Sequence, residues 1–276
     1  MKTLECVNML SYVQQTTFPN PIYLTEKSMK NLNGKTVIVT GGGGGIGGAT
    51  CRRFAAEGAQ VAVFDMNMDA AQKVAAESNA AGGTAGAFAC NITDRAQVDA
   101  GVAAAEAQLG PIDVLVNNAG ITRDRMFLKM TREDWDAVID TNLNSMFNVT
   151  KQVVADMVEK GWGRIINISS VNGVKGQAGQ TNYSAAKAGM HGFSMALAQE
   201  LATKGVTVNT VSPGYIGTDM VKAIRQEVLD KIVGTVPVKR LGEPSEIASI
   251  ISWLASDEGG YATGAEFNVN GGLHMG

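Results

Sequence analysis

Residues Thr36-Val-Ile-Val-Thr40, Gly41-Gly-Gly-Gly-Gly45 and Ile46-Gly-Gly48, followed by Ala49 to Glu57, decide how the chain folds. The opening five residues are β-branched and apolar enough to be a buried parallel strand. The glycine run that ends them meets the pattern T-G-x-x-x-G-x-G at Thr40, Gly41, Gly45 and Gly47. Helical composition from Ala49 to Glu57 then closes on Gly58, at a C-cap position. Strand, glycine turn and helix in that order form a phosphate cradle, in which free N–H groups and the positive end of the helix dipole face an anion. Gly41, Gly44, Gly45, Ile46 and Gly47 are the expected contacts, because Cβ atoms in the turn would hold the backbone off the phosphates. A flexible linker has the same glycine content, so the flanking strand and helix carry the argument.

Working outward, Gln60-Val-Ala-Val-Phe-Asp65 reads as a second strand ending in an acid twenty residues after Gly45. A carboxylate there accepts hydrogen bonds from both hydroxyls of an adenosine ribose and repels a 2′-phosphate. Asp65 therefore favours NAD(H) over NADP(H), and no arginine or lysine stands between Gly41 and Ala49 to meet a 2′-phosphate. The alternative for Asp65 is an ordinary N-cap of the helix that starts near Asp69. A third strand, Thr84 to Ala89, leads to Asn91 and Ile92, where an asparagine carbonyl can reach an adenine amine.

The length of 276 residues suits one large domain, and 33 glycines fit a fold with many tight turns. A net charge of −3 offers no basic surface for nucleic acid. Cys6, Cys51 and Cys90 are scattered and odd in number, which points to a reducing, cytoplasmic setting without disulfides. With His191 and His274 the only histidines, no metal-ligand cluster is expected. No apolar run approaches the roughly 20 residues of a membrane helix. Residues 1–30 lack periodicity and a signal-peptide pattern, and read as an appendage or a partner-binding arm before a catalytic domain at 31–276.

Beyond Asp94, which should cap a helix to Leu109, a fourth strand at 112–116 runs into Asn117, Asn118, Ala119 and Gly120. A long helical region is expected over 131–160, with Asn142 inside it. A fifth strand, 164–168, ends at Ser169 and Ser170. A polar loop then carries Gln177 and Gln180, a helix from about 182 to 203 carries Tyr183 and Lys187, and a sixth strand ends at Pro213-Gly214. Residues 215–240 read as a lid, and a helix at 244–255 and a strand at 266–269 finish the chain. Strict alternation of strands and helices predicts a doubly wound, Rossmann-type α/β fold with a mostly parallel seven-stranded sheet.

Tyr183 and Lys187 are one helical turn apart, so both side chains leave on one face. An ammonium beside a phenol stabilises the phenolate and lowers its pKa toward neutrality. Ser170 stands at the carboxyl end of a parallel strand, where ligands bind in open α/β sheets. Its hydroxyl can hold a carbonyl oxygen while Tyr183 protonates it and a nicotinamide delivers hydride. Tyr-x-x-x-Lys alone is common on solvated helix faces.

The ordered set of glycine cradle, Asn-Asn-Ala-Gly, serine, Tyr-x-x-x-Lys and Pro-Gly resembles the short-chain dehydrogenase/reductase family over residues 34–276. The resemblance implies catalytic roles for Ser170, Tyr183 and Lys187, with Ser169 the weaker candidate for the serine, and a proton-relay water held by Asn142. It implies nicotinamide contacts from Lys187, Pro213, Gly214, Ile216 and Thr218, and adenosine-side contacts from Asn118, Ala119 and Gly120. Segments such as Trp135-Asp-Ala-Val-Ile-Asp-Thr-Asn-Leu143, Gly179-Gln-Thr-Asn-Tyr183 and the terminal Gly-Gly-Leu-His-Met-Gly resemble the 3-oxoacyl reductase group that serves polyhydroxyalkanoate synthesis. That implies reduction of a short-chain 3-oxoacyl-CoA, with Gln177, Gln180 and Tyr215 at the acyl pocket or merely supporting the loop. The alternatives are a carrier-protein-linked 3-oxoacyl substrate, or an NAD-dependent hydroxyacyl-CoA oxidation. Arg123, Arg125 and Lys129 would meet either CoA phosphates or an acidic carrier helix. The group generally uses NADPH, which leaves NADP(H) open against Asp65, and family analogy implies a homotetramer.

Overall fold

In a computed structural model, which describes residues 32–218, 221 and 225–275, Thr36–Thr40 forms β1, buried along its whole length. Gln60–Asp65 (β2) and Val114–Asn117 (β4) flank it, both parallel to it. Thr84–Ala89 (β3), Gly163–Ile168 (β5), Val206–Pro213 (β6) and Glu266–Val269 (β7) extend the sheet in the order β3-β2-β1-β4-β5-β6-β7. Every pairing among the described residues is parallel. Strand order reverses between β1 and β4, and the carboxyl ends of those two strands frame the crevice where such sheets bind ligands.

Alternation along the strands makes two cores. Val37, Val39, Val61, Val63, Val114 and Val116 face one side, packed against Gly45–Ala56 (α1), Met68–Ala80 (α2) and a helix at Pro244–Ala255. Ile38, Ala62, Phe64, Leu115 and Ile165 face the other, under Arg95–Leu109 (α3) and Ser145–Lys160. Asp94 caps α3 by accepting from the Ala96 and Gln97 amides.

The expected long helix over 131–160 is interrupted. Arg132–Ile139 (α4), capped by Thr131, gives way to a π-helical turn at Asp140–Asn144 before Ser145–Lys160 (α5). The polar loop after Ser170 contains a short helix, Val171–Lys175 (α6), and Thr181–Leu201 forms α7. Ile216 bridges Gly242, with the helix Gln226–Thr235 (α8) between them in sequence and Pro244–Ala255 (α9) after. The expected appendage at 1–30, apart from which residue 31 is also undescribed, lies outside the described residues.

Candidate active site

The glycine turn fits a phosphate. Helix α1 begins inside the run at Gly45, and its N-cap Gly44 supplies no side-chain acceptor to the first-turn amides. Gly41 and Gly45 have φ of +63° and +53°, in the left-handed region. A Cβ on Gly47 would stand 2.2 Å from the Gly41 carbonyl oxygen, so this turn closes only over glycine. Gly44 differs. Its backbone is extended and a Cβ there would meet nothing within 4 Å.

Asp65 reaches across to the same turn. Its Oδ2 accepts from the Gly43 amide at 3.0 Å and its Oδ1 from the Asn67 amide at 2.9 Å. The N-cap of α2 is Asn67, which accepts from the Ala70 amide, so the capping alternative for Asp65 is not what the structure shows. Asn91 departs from its expected use. Its Oδ1 already accepts from the Thr93 amide and hydroxyl, leaving the amide nitrogen as the group free to meet an adenine, while Ile92 beside it is buried.

Asn118 locks β4 to β1. Its Nδ2 donates to the Thr40 and Gly41 carbonyls, and the Asn118 and Ala119 amides donate to Thr40 Oγ1. Just beyond Gly120, Asn142 holds the chain from both sides: its Oδ1 accepts from the Ile121 amide at 2.8 Å and its Nδ2 donates to the Ile121 carbonyl at 2.9 Å. The π-turn provides the reason. It turns this fully buried side chain toward the β4 loop, where a regular helix would continue its own register.

The carboxyl end of β5 brings Ser170 to Tyr183 and Lys187 of α7. Ile46, Asn118, Gly120, Ser170, Tyr183, Lys187, Pro213, Gly214, Ile216 and Thr218 line one cleft of about 230 Å³. Thr218 lies over the glycine turn, its methyl 3.3 Å from where a Gly45 Cβ would stand. Lys187 is buried, donates to the Ile168 carbonyl at 2.7 Å and lies 5.6 Å from the centre of the Tyr183 ring.

The electrostatics differ from the expectation that Lys187 lowers the phenol. Burial pushes the Tyr183 pKa up, the hydrogen bond from Ser170 opposes this, and Asp124 adds to the rise. Burial also brings the Lys187 ammonium down to about 7. With both groups out of water, the lysine is itself a weaker cation, and burial outweighs its pull on the phenol in the nucleotide-free protein.

Of the expected acyl-pocket residues, Gln177 and Tyr215 share a pocket with Lys175, Ile232 and Leu273. Gln180 does not join them. It ties Asn172 to Asp124, accepting from Asn172 Nδ2 at 3.0 Å and donating to Asp124 Oδ2 at 2.9 Å. Arg125 is taken by Asp134 at 2.9 Å, whereas Arg123 and Lys129 join no ion pair among the described residues. Asp124, 59 positions from Tyr183, gains an effect on the phenol only through the fold, and the buried Oδ1 of Asn172 has no partner.

A dinucleotide cradle that opens onto a phenol, a hydroxyl and a buried lysine is the working end of a nicotinamide-dependent oxidoreductase. The short chain dehydrogenase profile matches residues 35–229, and the chain belongs to that family. It is 63% identical over 243 residues to an acetoacetyl-CoA reductase of Cupriavidus necator, covering 88% of this chain and 99% of that one. An acetoacetyl-CoA reductase of Allochromatium vinosum is 52% identical, over 87% of this chain and 99% of its own. A 3-oxoacyl-[acyl-carrier-protein] reductase, FabG of Escherichia coli, is 44% identical over 89% of this chain and 99% of its own.

Proposed function

We propose that the protein reduces a short-chain 3-oxoacyl-CoA, acetoacetyl-CoA first among them, to the (R)-3-hydroxyacyl-CoA. The observation that carries the chemistry is the Tyr183 phenol, which shares with Ser170 and Lys187 a cleft that ends on the glycine turn. The substrate class follows from relatives at 52–63% identity whose names state that activity.

The bound nicotinamide supplies hydride. The chain does the rest. Gly41, Gly45 and Gly47 let the backbone approach the pyrophosphate, and Asp65 meets the adenosine ribose and favours NAD(H), with NADP(H) the alternative the family allows. Ser170 orients the substrate carbonyl by donating to its oxygen. Tyr183 donates the proton to that oxygen as it becomes an alkoxide. The raised phenol pKa suits this direction, because the group must arrive protonated and an alkoxide is far the stronger base. Lys187 then stabilises the phenolate left behind and returns the proton. Asn142 keeps one unused hydrogen-bonding position on each amide atom, enough to hold a relay water beside Lys187.

Gln177 and Tyr215 would border the acyl group, with Arg123 and Lys129 available to CoA phosphates. Residues 31–276 are read as one catalytic domain, and residues 215–240 as its lid. An apolar face with Phe147, Val154, Phe193 and Leu197 on α5 and α7 suits association into the homotetramer that family analogy implies. No helix among the described residues is long and apolar enough to cross a membrane, in keeping with a cytoplasmic enzyme.

Turnover of acetoacetyl-CoA against the same acyl group on carrier protein, with NADH and NADPH in turn, tests the reading. The CoA thioester should win. A tenfold preference for the carrier-bound substrate would move the protein to the second reading, which the carrier-protein reductases at 44–45% identity support.

A further inference from the structure

From Ser169, at the edge of the cleft, runs a chain of polar groups that the reaction above does not use. Ser169 Oγ lies 2.8 Å from the Lys187 carbonyl oxygen and 2.9 Å from His191 Nε2. His191 Nδ1 lies 3.3 Å from Glu266 Oε2, and Glu266 Oε1 accepts from the Ser212 hydroxyl at 2.7 Å. Ser169 and Ser212 are buried, and the His191 side chain is 16% exposed. Four elements are joined in this way: the end of β5, helix α7, strand β6 and strand β7.

We propose that Ser169, His191 and Glu266 form a positioning chain for Lys187, which fixes the turn of α7 that presents the ammonium and varies its hold with the protonation of His191. The inference rests on the reading of Lys187 as part of the reaction. Lys187 is gripped twice, by the last residue of β5 and the one after it: its ammonium donates to the Ile168 carbonyl and its own carbonyl accepts from the Ser169 hydroxyl. A shift of Ser169 therefore moves both ends of the residue.

The hydrogen count sets what the histidine does. Ser169 has one hydroxyl proton and two acceptors within reach. With His191 doubly protonated, Nε2–H donates to Ser169 Oγ, Nδ1–H donates to Glu266, and the hydroxyl is left to donate to the Lys187 carbonyl. Every group is then satisfied. With His191 neutral, Glu266 keeps the proton on Nδ1, Nε2 becomes an acceptor, and the Ser169 hydroxyl turns to it and releases the Lys187 carbonyl. The charged groups facing His191 are Glu266, from β7, which favours the imidazolium, and Lys187, one turn earlier on its own helix, which opposes it. Burial opposes it further. Ser169 is accordingly the serine of the supporting chain, and Ser170 the one that faces the substrate.

With two histidines in the chain, ring NMR resolves His191 directly, His274→Gln assigning the other. His191 should titrate below its ordinary value. In Lys187→Met its midpoint should rise by about half a pH unit, and in Glu266→Gln it should fall by a similar amount. These shifts are read without nucleotide or substrate, so they stand or fall apart from the assigned reaction. An unchanged midpoint in Lys187→Met overturns the coupling. In turnover, His191→Phe leaves the Lys187 carbonyl as the acceptor for the Ser169 hydroxyl at every pH, so kcat should no longer change through the range in which His191 titrates, with KM for the acyl substrate little changed. His191→Gln, which keeps a donor toward Ser169 but does not titrate, should likewise lose the inflection, with kcat within about twofold of His191→Phe. If His191→Phe loses thermal stability but keeps the wild-type kcat and pH profile, the histidine is only structural and the proposal is wrong.

Discussion

Lys187 donates its ammonium to the main-chain carbonyl of Ile168 at 2.7 Å, and among the described residues no carboxylate pairs with it. A buried cation answered by a carbonyl dipole and, weakly, the Met190 sulfur is destabilised, and burial brings its pKa from 10.5 to about 7. Between those values the unfolded chain holds a proton that the folded chain has released. The slope of stability against pH is proportional to that difference, so nucleotide-free protein should gain stability from Lys187 as pH rises from about 7 toward 10. The gain should approach about 1.4 kcal/mol per pH unit at most. Urea unfolding of the wild type and Lys187→Met at several pH values in this range checks the sign. A difference between the two proteins that stays flat with pH would falsify the assignment.

Tyr183→Phe removes the proton donor and keeps the ring. Bound cofactor should be retained at near wild-type affinity, while kcat falls by about 10²–10⁴, the range of a general acid. Fluorescence titration with NADH beside steady-state turnover separates binding from chemistry. A variant that keeps a tenth or more of the activity would show that another group protonates the carbonyl oxygen.

Much of this site could be read from residue order, and the exceptions share a cause. The glycine turn, Asp65, Ser170, Tyr183 and Lys187 sit on or beside single elements whose spacing fixes their direction, so strand and helix periods were enough to place them. The break at Asp140–Asn144 was not readable, because a π-turn adds one residue to a helix without any breaker in Thr141-Asn-Leu-Asn144. A sequence shows that Lys187 is near Tyr183 and does not show that both lose their water. Asp124, Asn172 and the Ser169, His191 and Glu266 chain depend on contacts between distant elements, which no local spacing encodes.

Asn142 joins those long-range contacts to stability. Asn142→Leu would leave the amide and carbonyl of Ile121 buried without their partners, at about 1–3 kcal/mol for each group left unsatisfied. We expect a loss of roughly 2–4 kcal/mol in denaturant unfolding and a fall in turnover from the displaced Gly120 segment. Asn142→Asp should recover part of the loss, since it still accepts from the Ile121 amide but no longer donates to the carbonyl. Equal stability for Leu and Asp at this position would mean that shape, and not the pair of hydrogen bonds, holds the segment.

Cofactor choice can be tested at two positions of the turn that differ in what they tolerate. Asp65→Ala removes a charge that repels a 2′-phosphate, and the acceptor of the Gly43 amide with it, so the kcat/KM ratio of NADPH to NADH should rise by about 30-fold, or about 2 kcal/mol. Gly44 has an extended backbone and open space at its Cβ, so Gly44→Arg should fold normally and place a cation beside the same ribose. Added to Asp65→Ala, it should raise the ratio further, because attraction then replaces repulsion. Gly47→Ala is the control: its methyl would stand 2.2 Å from the Gly41 carbonyl oxygen, and nucleotide binding should be lost with both cofactors. If Asp65→Ala leaves the ratio unchanged while Gly47→Ala abolishes binding, the cradle is right, but the carboxylate does not face the ribose.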